Sequence, residues 1–425
     1  MNTPVMLKTE GSPEFVAYVG LDWGDEKHAV MLRAVEGEAQ ACTLVNSPEV
    51  LHAWLQKLGQ RFAGRPVALG VEASRGPLIH IFMAYPWLTV YPIQPATSAR
   101  YRTAFTPSGA KDDQPDAAML EELVRCHRDK LRALQPQEVE TRKLAALVEL
   151  RRDLVDRRSQ AVLQLISLLK AYYPQALELA GEQLHSPMAL EFLRRWPEVV
   201  SLKATRPSAL SRFYYRHSVR SEKLVEERLA LVKQAVAVTT DEAVVEPALL
   251  ELRALLDQIK DSNKHIKHIE SLIDILFDSH SESYLFKNLP GAGDALKPRL
   301  VVAFGEDRTL YPDPESFQKY AGLAPVVERS GKHCWIHWRW FACRFLRQTM
   351  VEWAAKTVAA SLWAKAYYEA MAAKGKSHQV ILRALAFKWA RILWKCWQTR
   401  TPYDESRYLK QLARRKSPYA VKINA

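Results

Sequence analysis

Two short apolar runs, each ending in an acidic residue, most strongly constrain the fold of the first hundred residues. Phe15–Leu21 is followed by Asp22, and Val67–Val71 is followed by Glu72. Runs of this length and composition are typical of buried strands. A carboxylate at the end of a buried strand is costly unless something neutralises its charge. The sequence therefore predicts a sheet with carboxylates gathered at one edge.

The other elements of residues 14–135 alternate between strand and helix patterns. The predicted strands are Phe15–Asp22, His28–Ala34, Ala41–Asn46, Val67–Glu72 and Leu88–Ile93, and the predicted helices are Pro48–Phe62 and Leu78–Tyr85. Alternation of this kind is typical of an α/β sheet. Three leading strands followed by helix, strand, helix and strand is the order of a ribonuclease H-like (RuvC-like) domain.

Two further acids stand where the next helix should begin. In Lys111–Ala117, Asp113 and Asp116 are three positions apart, so both point to the same side of a helical turn. Pro115 suits that first turn, where it removes no intrahelical hydrogen bond. One acid alone is more often a helix cap, but Asp22, Glu72, Asp113 and Asp116 together can hold two Mg²⁺ ions roughly 4 Å apart.

Residues 136–285 have the pattern of long helices. The segment Thr141–Tyr173 is amphipathic, and Ser186–Arg220, rich in Pro and Arg, is predicted to be a hinge or loop. A seven-residue repeat places Leu252, Ile259, Ile266 and Ile273 on one line, with Leu255, Ser262, Ile269 and Leu276 three positions further on. This is a coiled-coil seam. It could pair with a helix of the same chain or with a second copy.

The positive charge is confined to the last third of the chain. Residues 286–425 hold 25 Lys and Arg against 10 Asp and Glu, whereas residues 1–135 and 136–285 each have a net charge of −1. An excess of this size is typical of a domain that binds a polyanion. Within it, residues 286–400 are predicted to form helices at Ala295–Phe304, Pro314–Tyr320, Phe341–Ala372 with a break, and His378–Trp397. The basic tail 401–425 is expected to be disordered without nucleic acid, and residues 1–13 to be a flexible leader.

Several residues of this basic region are candidates for nucleic-acid contacts. Gly291 and Gly293 lie in a turn, Pro290–Gly293, that resembles a helix-hairpin-helix turn and would offer free N–H groups to a phosphate. The predicted backbone contacts are Lys332, Arg344, Arg347, Arg383, Lys388, Arg391 and Lys395. Trp335, Trp338 and Trp340 could stack on unpaired bases, although burial in a core is the favoured interpretation of so Trp-rich a stretch.

Composition excludes two classes of protein. No apolar stretch reaches the 18 residues of a membrane span, and the N-terminus does not have the pattern of a signal peptide. The five cysteines are odd in number and scattered, which indicates reduced thiols. We therefore expect a cytoplasmic, nucleoid-associated protein.

The motifs together resemble the DEDD transposases related to the Piv DNA invertases. The resemblance is carried by Gly20-Leu-Asp22, Gly70-Val-Glu72 and Lys111-x-Asp113-x-x-Asp116, and later by Leu289-Pro-Gly-x-Gly293, Phe317-x-x-Tyr-x-Gly-Leu-x-Pro325, Ser330-Gly331 and Phe345-Leu-Arg347. It spans roughly residues 15–400. It implies a RuvC-like domain, a helical coiled-coil region and a separate transposase domain of mainly α structure.

The resemblance also implies a reaction and its partners. Ser330 would attack the scissile phosphate of DNA together with the four acids and Mg²⁺, within one subunit or across a homodimer or homotetramer. A structured bridge RNA would pair with donor and target DNA. The stretch Lys332–Cys343 departs from the glycine-containing pattern of the family. Two alternatives stay open, namely a RuvC-like junction endonuclease that hydrolyses DNA without a covalent intermediate and a non-enzymatic nucleic-acid-binding scaffold.

Overall fold

The computed structural model describes residues 14–105, 112–340 and 342–419. The chain divides into two compact units, Met1–Pro136 and Gln137–Ala425. The predicted leader at residues 1–13 and Lys111 lie outside the described residues. The finer five-part division predicted from the sequence stays a prediction.

The first unit is a mixed α/β domain. Its strands are β1 (Ala17–Asp22), β2 (Lys27–Ala34), β3 (Ala39–Val45), β4 (Val67–Val71) and β5 (Leu88–Pro92), and its helices are α1 (Pro48–Arg61), α2 (Pro77–Phe82), α3 (Pro95–Phe105) and α4 (Asp113–His127), with a 3₁₀ turn at Arg128–Lys130. The sheet order is β3-β2-β1-β4-β5. Strands β1, β2 and β3 pair antiparallel, whereas β1, β4 and β5 pair parallel. The three leading strands predicted from the sequence are present, and the whole order is compatible with a ribonuclease H-like fold.

The second unit is mostly helical. Its helices are α5 (Val139–Tyr172), α6 (Ala176–Leu179), α7 (Pro187–Arg195), α8 (Val199–Lys203), α9 (Pro207–Arg216), α10 (Glu222–Gln234), α11 (Glu242–Ser279), α12 (Ser283–Phe286), α13 (Leu296–Phe304), α14 (Pro314–Tyr320), α15 (Arg344–Ala360), α16 (Leu362–Ala372), α17 (His378–Gln398) and α18 (Glu405–Arg414), with a 3₁₀ turn at Arg308–Leu310. One hairpin joins β6 (Val326–Ser330) to β7 (His333–His337). Across the described residues, none of these helices has the length and apolarity that crossing a membrane requires.

The seven-residue repeat on α11 is buried against the same chain. Arg151 of α5 contacts Glu270 of α11 at 2.6 Å, and seven positions further along α5 Arg158 donates to Asn263 at 2.9 Å. Numbers that rise along α5 fall along α11, so the two helices are antiparallel. Six of the eight repeat positions on α11 are buried, namely Leu252, Leu255, Ile259, Ile266, Ile269 and Ile273, and Ser262 and Leu276 are half-buried. These side chains need no second chain to cover them, so the repeat gives no support to a coiled-coil dimer.

The predicted hinge or loop at Ser186–Arg220 is wrong, because most of this segment forms helices α7, α8 and α9. Pro187 and Pro207 each stand in the first turn of a helix, where proline fits without breaking a hydrogen bond. Phe192, Leu193, Phe213 and Tyr214 are buried in one hydrophobic cluster with the C-terminal half of α5 and the N-terminal half of α11. Proline here starts helices instead of interrupting them.

The other end of the α5–α11 pair packs on a core rich in tryptophan. The rings of Trp353 and Trp363 each lie within 4.7 Å of Trp389, measured between centroids. The predicted break in Phe341–Ala372 is confirmed, since α15 ends at Ala360 and α16 begins at Leu362. Four of the chain's tryptophans are fully buried here, and they fix the arrangement of α15, α16 and α17.

The expectation that the tail is disordered is wrong for residues 401–419. Helix α18 packs on the tryptophan core through Leu409, which is only 3% exposed. Tyr408 lies against Trp363, and Tyr403 accepts a hydrogen bond from the Trp363 indole at 2.9 Å. The apolar side chains of the tail are therefore what order it, and residues 420–425 lie outside the described residues.

Candidate active site

Two glycines let helix α4 lie directly on the sheet. Gly20 of β1 and Gly70 of β4 are neighbours in register. A Cβ added at Gly20 would lie 1.9 Å from the carbonyl oxygen of Ala117, and one added at Gly70 would lie 2.8 Å from that of Leu120. Side chains at these two positions would therefore push α4 away from the sheet.

One acid stands at the end of each of these strands. Side chains alternate between the two faces of a strand, so Asp22, the last residue of β1, shares the face of Gly20, and Glu72 follows directly on Val71, the last residue of β4. The register pairs Leu21 with Val71, so the neighbouring strands β1 and β4 end side by side where Asp22 and Glu72 stand in the sequence. Both acids are half-buried. The predicted neighbouring strand ends are present, and the joint role of the two carboxylates stays a prediction.

Helix α4 runs antiparallel to β1. Its first turn therefore lies at the edge of the sheet where β1 ends at Asp22 and β4 ends before Glu72, which we call the acidic edge. Its middle covers Gly20, and beyond its last turn Arg128 donates to the hydroxyl of Tyr18, two residues earlier in β1. At its first turn, Gln114 donates to the carbonyl of Cys42 at 3.2 Å and to the hydroxyl of Thr43 at 3.3 Å. The register links Thr43 through Ala29 to Asp22, so the first turn of α4 lies over the row that contains Asp22.

Asp116 is bound by Arg102 of α3, a residue without a recognisable sequence motif. The Nε of Arg102 donates to one carboxylate oxygen at 2.8 Å, and a terminal nitrogen donates to the other at 2.7 Å. Asp116 is buried at 4% exposure, whereas Asp113 is exposed. A two-point pair of this kind is among the strongest hydrogen-bonded arrangements in proteins. Arg102 therefore neutralises Asp116 in this structure.

Glu72 is held by α3, the helix that also carries Arg102. The Ser98 hydroxyl, which is 1% exposed, donates to Glu72. Ser98 and Arg102 are four residues apart on α3, so one face of this helix binds two of the four acids. The four-residue spacing of Ser98 and Arg102, in a segment that can form a helix, is visible in the sequence. The local sequence does not show that this helix faces the acids.

The donor set suits a hard divalent cation in its chemistry. Mg²⁺ prefers carboxylate oxygens, and four carboxylates are carried by elements that meet at one edge of the sheet. Nevertheless, among the described residues no three His, Cys, Asp or Glu side chains are placed closely enough to hold a metal ion. Asp116 and Glu72 are directed to Arg102 and Ser98 instead. Metal binding at this edge therefore requires these side chains to exchange partners.

Ser330 ends strand β6 at the tip of the hairpin. It pairs with His333 across a two-residue turn of Gly331 and Lys332, and Gly331 has a φ of +56°, a value that favours glycine. Ser330, Gly331 and Lys332 are all exposed. The hairpin thus presents a serine hydroxyl and a lysine at its tip.

The predicted burial of Trp335, Trp338 and Trp340 in a core, the favoured interpretation of the sequence, is wrong. Trp335 is 53% exposed and Trp340 is 74% exposed. Both strands of the hairpin are exposed along almost their whole length, so Trp335 on β7 is not part of a core. Trp338 is half-buried with the guanidinium groups of Arg347 and Arg383 about 5 Å from its ring centre (5.2 and 4.9 Å). These two arginines therefore have a packing role within the protein.

The glycines of the proposed phosphate-binding turn differ from one another. Gly291 has a φ of +67°, and a Cβ there would lie 2.7 Å from the carbonyl oxygen of Lys356 on α15. The carbonyl of Pro290 accepts a hydrogen bond from the Trp353 indole at 2.9 Å. Gly291 therefore has a packing reason for being glycine. Gly293 faces open space, with nothing within 4 Å of such a Cβ.

The order of the sheet is compatible with a DNA-processing enzyme of the DEDD type. The same holds for the acids at the ends of β1 and β4 and in the first turn of α4. A family profile described as a transposase of the DEDD type named for IS110 matches residues 19–174, and the profile of the IS116/IS110/IS902 transposase family matches residues 283–369.

Two relatives match more than nine-tenths of the chain, and a third matches two-thirds of it. The mini-circle putative transposase for IS117 of Streptomyces coelicolor is 26% identical over 397 residues, covering 92% of this chain and 96% of its own length. An insertion element IS110 protein of 43.6 kDa from the same organism is 24% identical over 91% of this chain and 95% of its own length. An insertion element IS900 protein of Mycobacterium paratuberculosis is 25% identical over 67% of this chain and 70% of its own length. This chain belongs to the IS110 family of DEDD transposases.

Proposed function

We propose that this transposase moves its insertion sequence by attack of a serine hydroxyl on DNA, supported by magnesium. In this proposal Ser330 is the nucleophile, and Asp22, Glu72, Asp113 and Asp116 hold the metal. The observation that carries the proposal is the meeting of β1, β4 and the first turn of α4 at one edge of the sheet, each with its acid.

The chemical step is a transesterification. The Ser330 oxygen forms a bond to phosphorus, the bond from phosphorus to one sugar oxygen breaks, and that oxygen leaves with a proton. Bound Mg²⁺ would lower the cost of charge on the attacking and leaving oxygens. The exposed hairpin tip supports the role of Ser330, because a nucleophile must reach the backbone of a bulky substrate. Lys332, two residues away, supplies a positive charge for the phosphate.

The partners in this proposal are donor DNA, target DNA and a structured bridge RNA. The +15 net charge of residues 286–425 supports binding to such polyanions. Contacts to the nucleic-acid backbone stay proposed for Lys332, Arg344, Lys388, Arg391 and Lys395. Of these, Arg344, Arg391 and Lys395 are exposed along α15 and α17.

The experiment is a denaturing-gel assay of the full chain with its co-purified RNA, Mg²⁺ and junction DNA of its element. We expect a protein–DNA adduct that is lost in Ser330→Ala and in Asp113→Asn. Asp112→Asn, an exposed position next to Asp113 whose side chain makes no helix-cap hydrogen bond, is the matched control and should keep the adduct. Cleavage without an adduct, unchanged in Ser330→Ala but lost in Asp113→Asn, would instead identify a hydrolytic junction endonuclease. Metal-independent binding without cleavage of any substrate would identify a scaffold.

A further inference from the structure

A groove runs between helices α14, α17 and α18 of the second unit. Its volume is about 1260 Å³. Sites for small molecules usually measure about 300–1,000 Å³, so this groove has room for a segment of a polymer. Its walls include Gln318 of α14, Phe387 and Arg391 of α17, and Arg407 of α18. It exists because the C-terminal tail folds back onto α17.

The groove is lined by cations that lack carboxylate partners. The lining cations are Arg383, Lys388, Arg391, Lys395, Arg407 and Arg415. None of these six makes a salt bridge to a described residue, whereas Arg299 and Arg308 elsewhere in the unit are paired with glutamates. Asp404 is the one acid among the lining residues, and it accepts a hydrogen bond from the backbone N–H of Arg407 as a helix cap. Among the described residues, the groove therefore has a net positive charge, which suits an anionic ligand.

Aromatic and apolar groups line the same groove. Phe387 is 36% exposed, and Trp394 and Tyr408 are half-buried along the walls. Cations that follow a backbone, combined with rings on which bases stack, are the means by which proteins bind a single strand of nucleic acid. A duplex hides the faces of its bases and would leave such rings without partners.

One end of the groove adjoins the hairpin that carries Ser330. Leu323 and Pro325 line the groove, and β6 begins at the very next residue, Val326. The five residues of β6 then lead to Ser330, a distance of about 17 Å at roughly 3.3 Å per residue. We propose that the groove binds the unpaired DNA strand that contains the scissile phosphate and leads it to Ser330. This inference rests on the proposed function.

The test measures binding of fluorescein-labelled 20-nucleotide DNA to the full chain by fluorescence anisotropy. The groove variant is Arg391→Gln with Lys395→Gln, two exposed positions one turn apart on α17. Each contact to a single strand contributes about 0.7 to the slope of log affinity against log salt. Loss of both should lower the slope by about 1.4, which corresponds to about 25-fold weaker binding at 0.1 M salt. Phe387→Ala should weaken binding without changing the slope.

The matched control is Lys260→Gln with Lys264→Gln, which are also exposed and one turn apart, on α11. It should bind DNA like the unmodified protein. Equal losses in both double variants, or no loss in either, would overturn the inference. A groove variant that loses affinity for RNA of the same sequence but not for DNA would assign the groove to RNA and overturn it as well, as would equal losses on duplex DNA.

The outcome is separable from that of the proposed function. Normal binding of single-stranded DNA by the groove variant, together with an adduct that requires Ser330, would refute only the groove. An adduct that persists in Ser330→Ala would refute the proposed nucleophile whatever the groove variant does.

Discussion

Replacing Arg102 with glutamine should destabilise the first unit more than any other single loss of charge near the acidic edge. The substitution removes both hydrogen bonds to Asp116, at 2.8 and 2.7 Å, and leaves a carboxylate that is 4% exposed without its cation. Breaking a buried ion pair costs about 3–5 kcal/mol. Because the Arg102 side chain keeps 20% of its exposure, we expect the low end, about 3 kcal/mol.

Native-state hydrogen exchange read by mass spectrometry suits this measurement, because it reports the stability of β1 and β4 within the full chain. A loss of about 3 kcal/mol corresponds to roughly 150-fold faster exchange of amides that open with this unit. Mg²⁺ should restore part of the loss in Arg102→Gln, since a bound cation would again neutralise Asp116. Asp116→Asn combined with Arg102→Gln should be less destabilised than Arg102→Gln alone.

The matched control is Arg100→Gln, an exposed position on the same helix. It should exchange like the unmodified protein. If the free energy of unfolding of Arg102→Gln lies within about 0.5 kcal/mol of that of Arg100→Gln, the Arg102–Asp116 pair does not neutralise a buried charge.

Three further predictions test other parts of the structure. Gly20→Ala should cost about 3 kcal/mol or more in urea unfolding, because its Cβ would overlap the carbonyl of Ala117; a cost below 1 kcal/mol would contradict the close approach of α4. Leu409→Ala should lower the free energy of unfolding by about 2–5 kcal/mol and speed amide exchange in α18, and unchanged exchange would contradict the packing of the tail. The hydrogen bond to Glu328 raises the pKa of His337, so this pair should support the hairpin fully below the unfolded pKa of about 6.5 and lose that support as pH rises through the raised value. The fluorescence of Trp335 should report this loss, and Glu328→Gln should remove its pH dependence.

The acidic edge could be predicted because strand periodicity and helix spacing are local properties. Apolar runs fixed where β1 and β4 end, and the three-residue spacing fixed the side of α4 that carries Asp113 and Asp116. The same sequence held a second signal, a glycine two residues before Asp22 and before Glu72, which marks where α4 contacts the sheet.

The partners of these acids could not be predicted in the same way. Ser98 and Arg102 reach Glu72 and Asp116 because α3 folds back onto the edge, and that is a tertiary contact without a local pattern. The tail was misjudged for a different reason. Its charge suggested disorder, yet Tyr408 and Leu409 were available to cover the tryptophan core.

Covalent attachment of DNA to Ser330 is tested most directly by mass spectrometry of the trapped adduct. Digestion after glutamate should release a peptide that begins at Arg329, directly after Glu328. We expect a nucleotide attached to this peptide, with fragmentation placing it on Ser330. A nucleotide attached to any other residue, or active protein that cleaves junction DNA with no nucleotide attached, would contradict it.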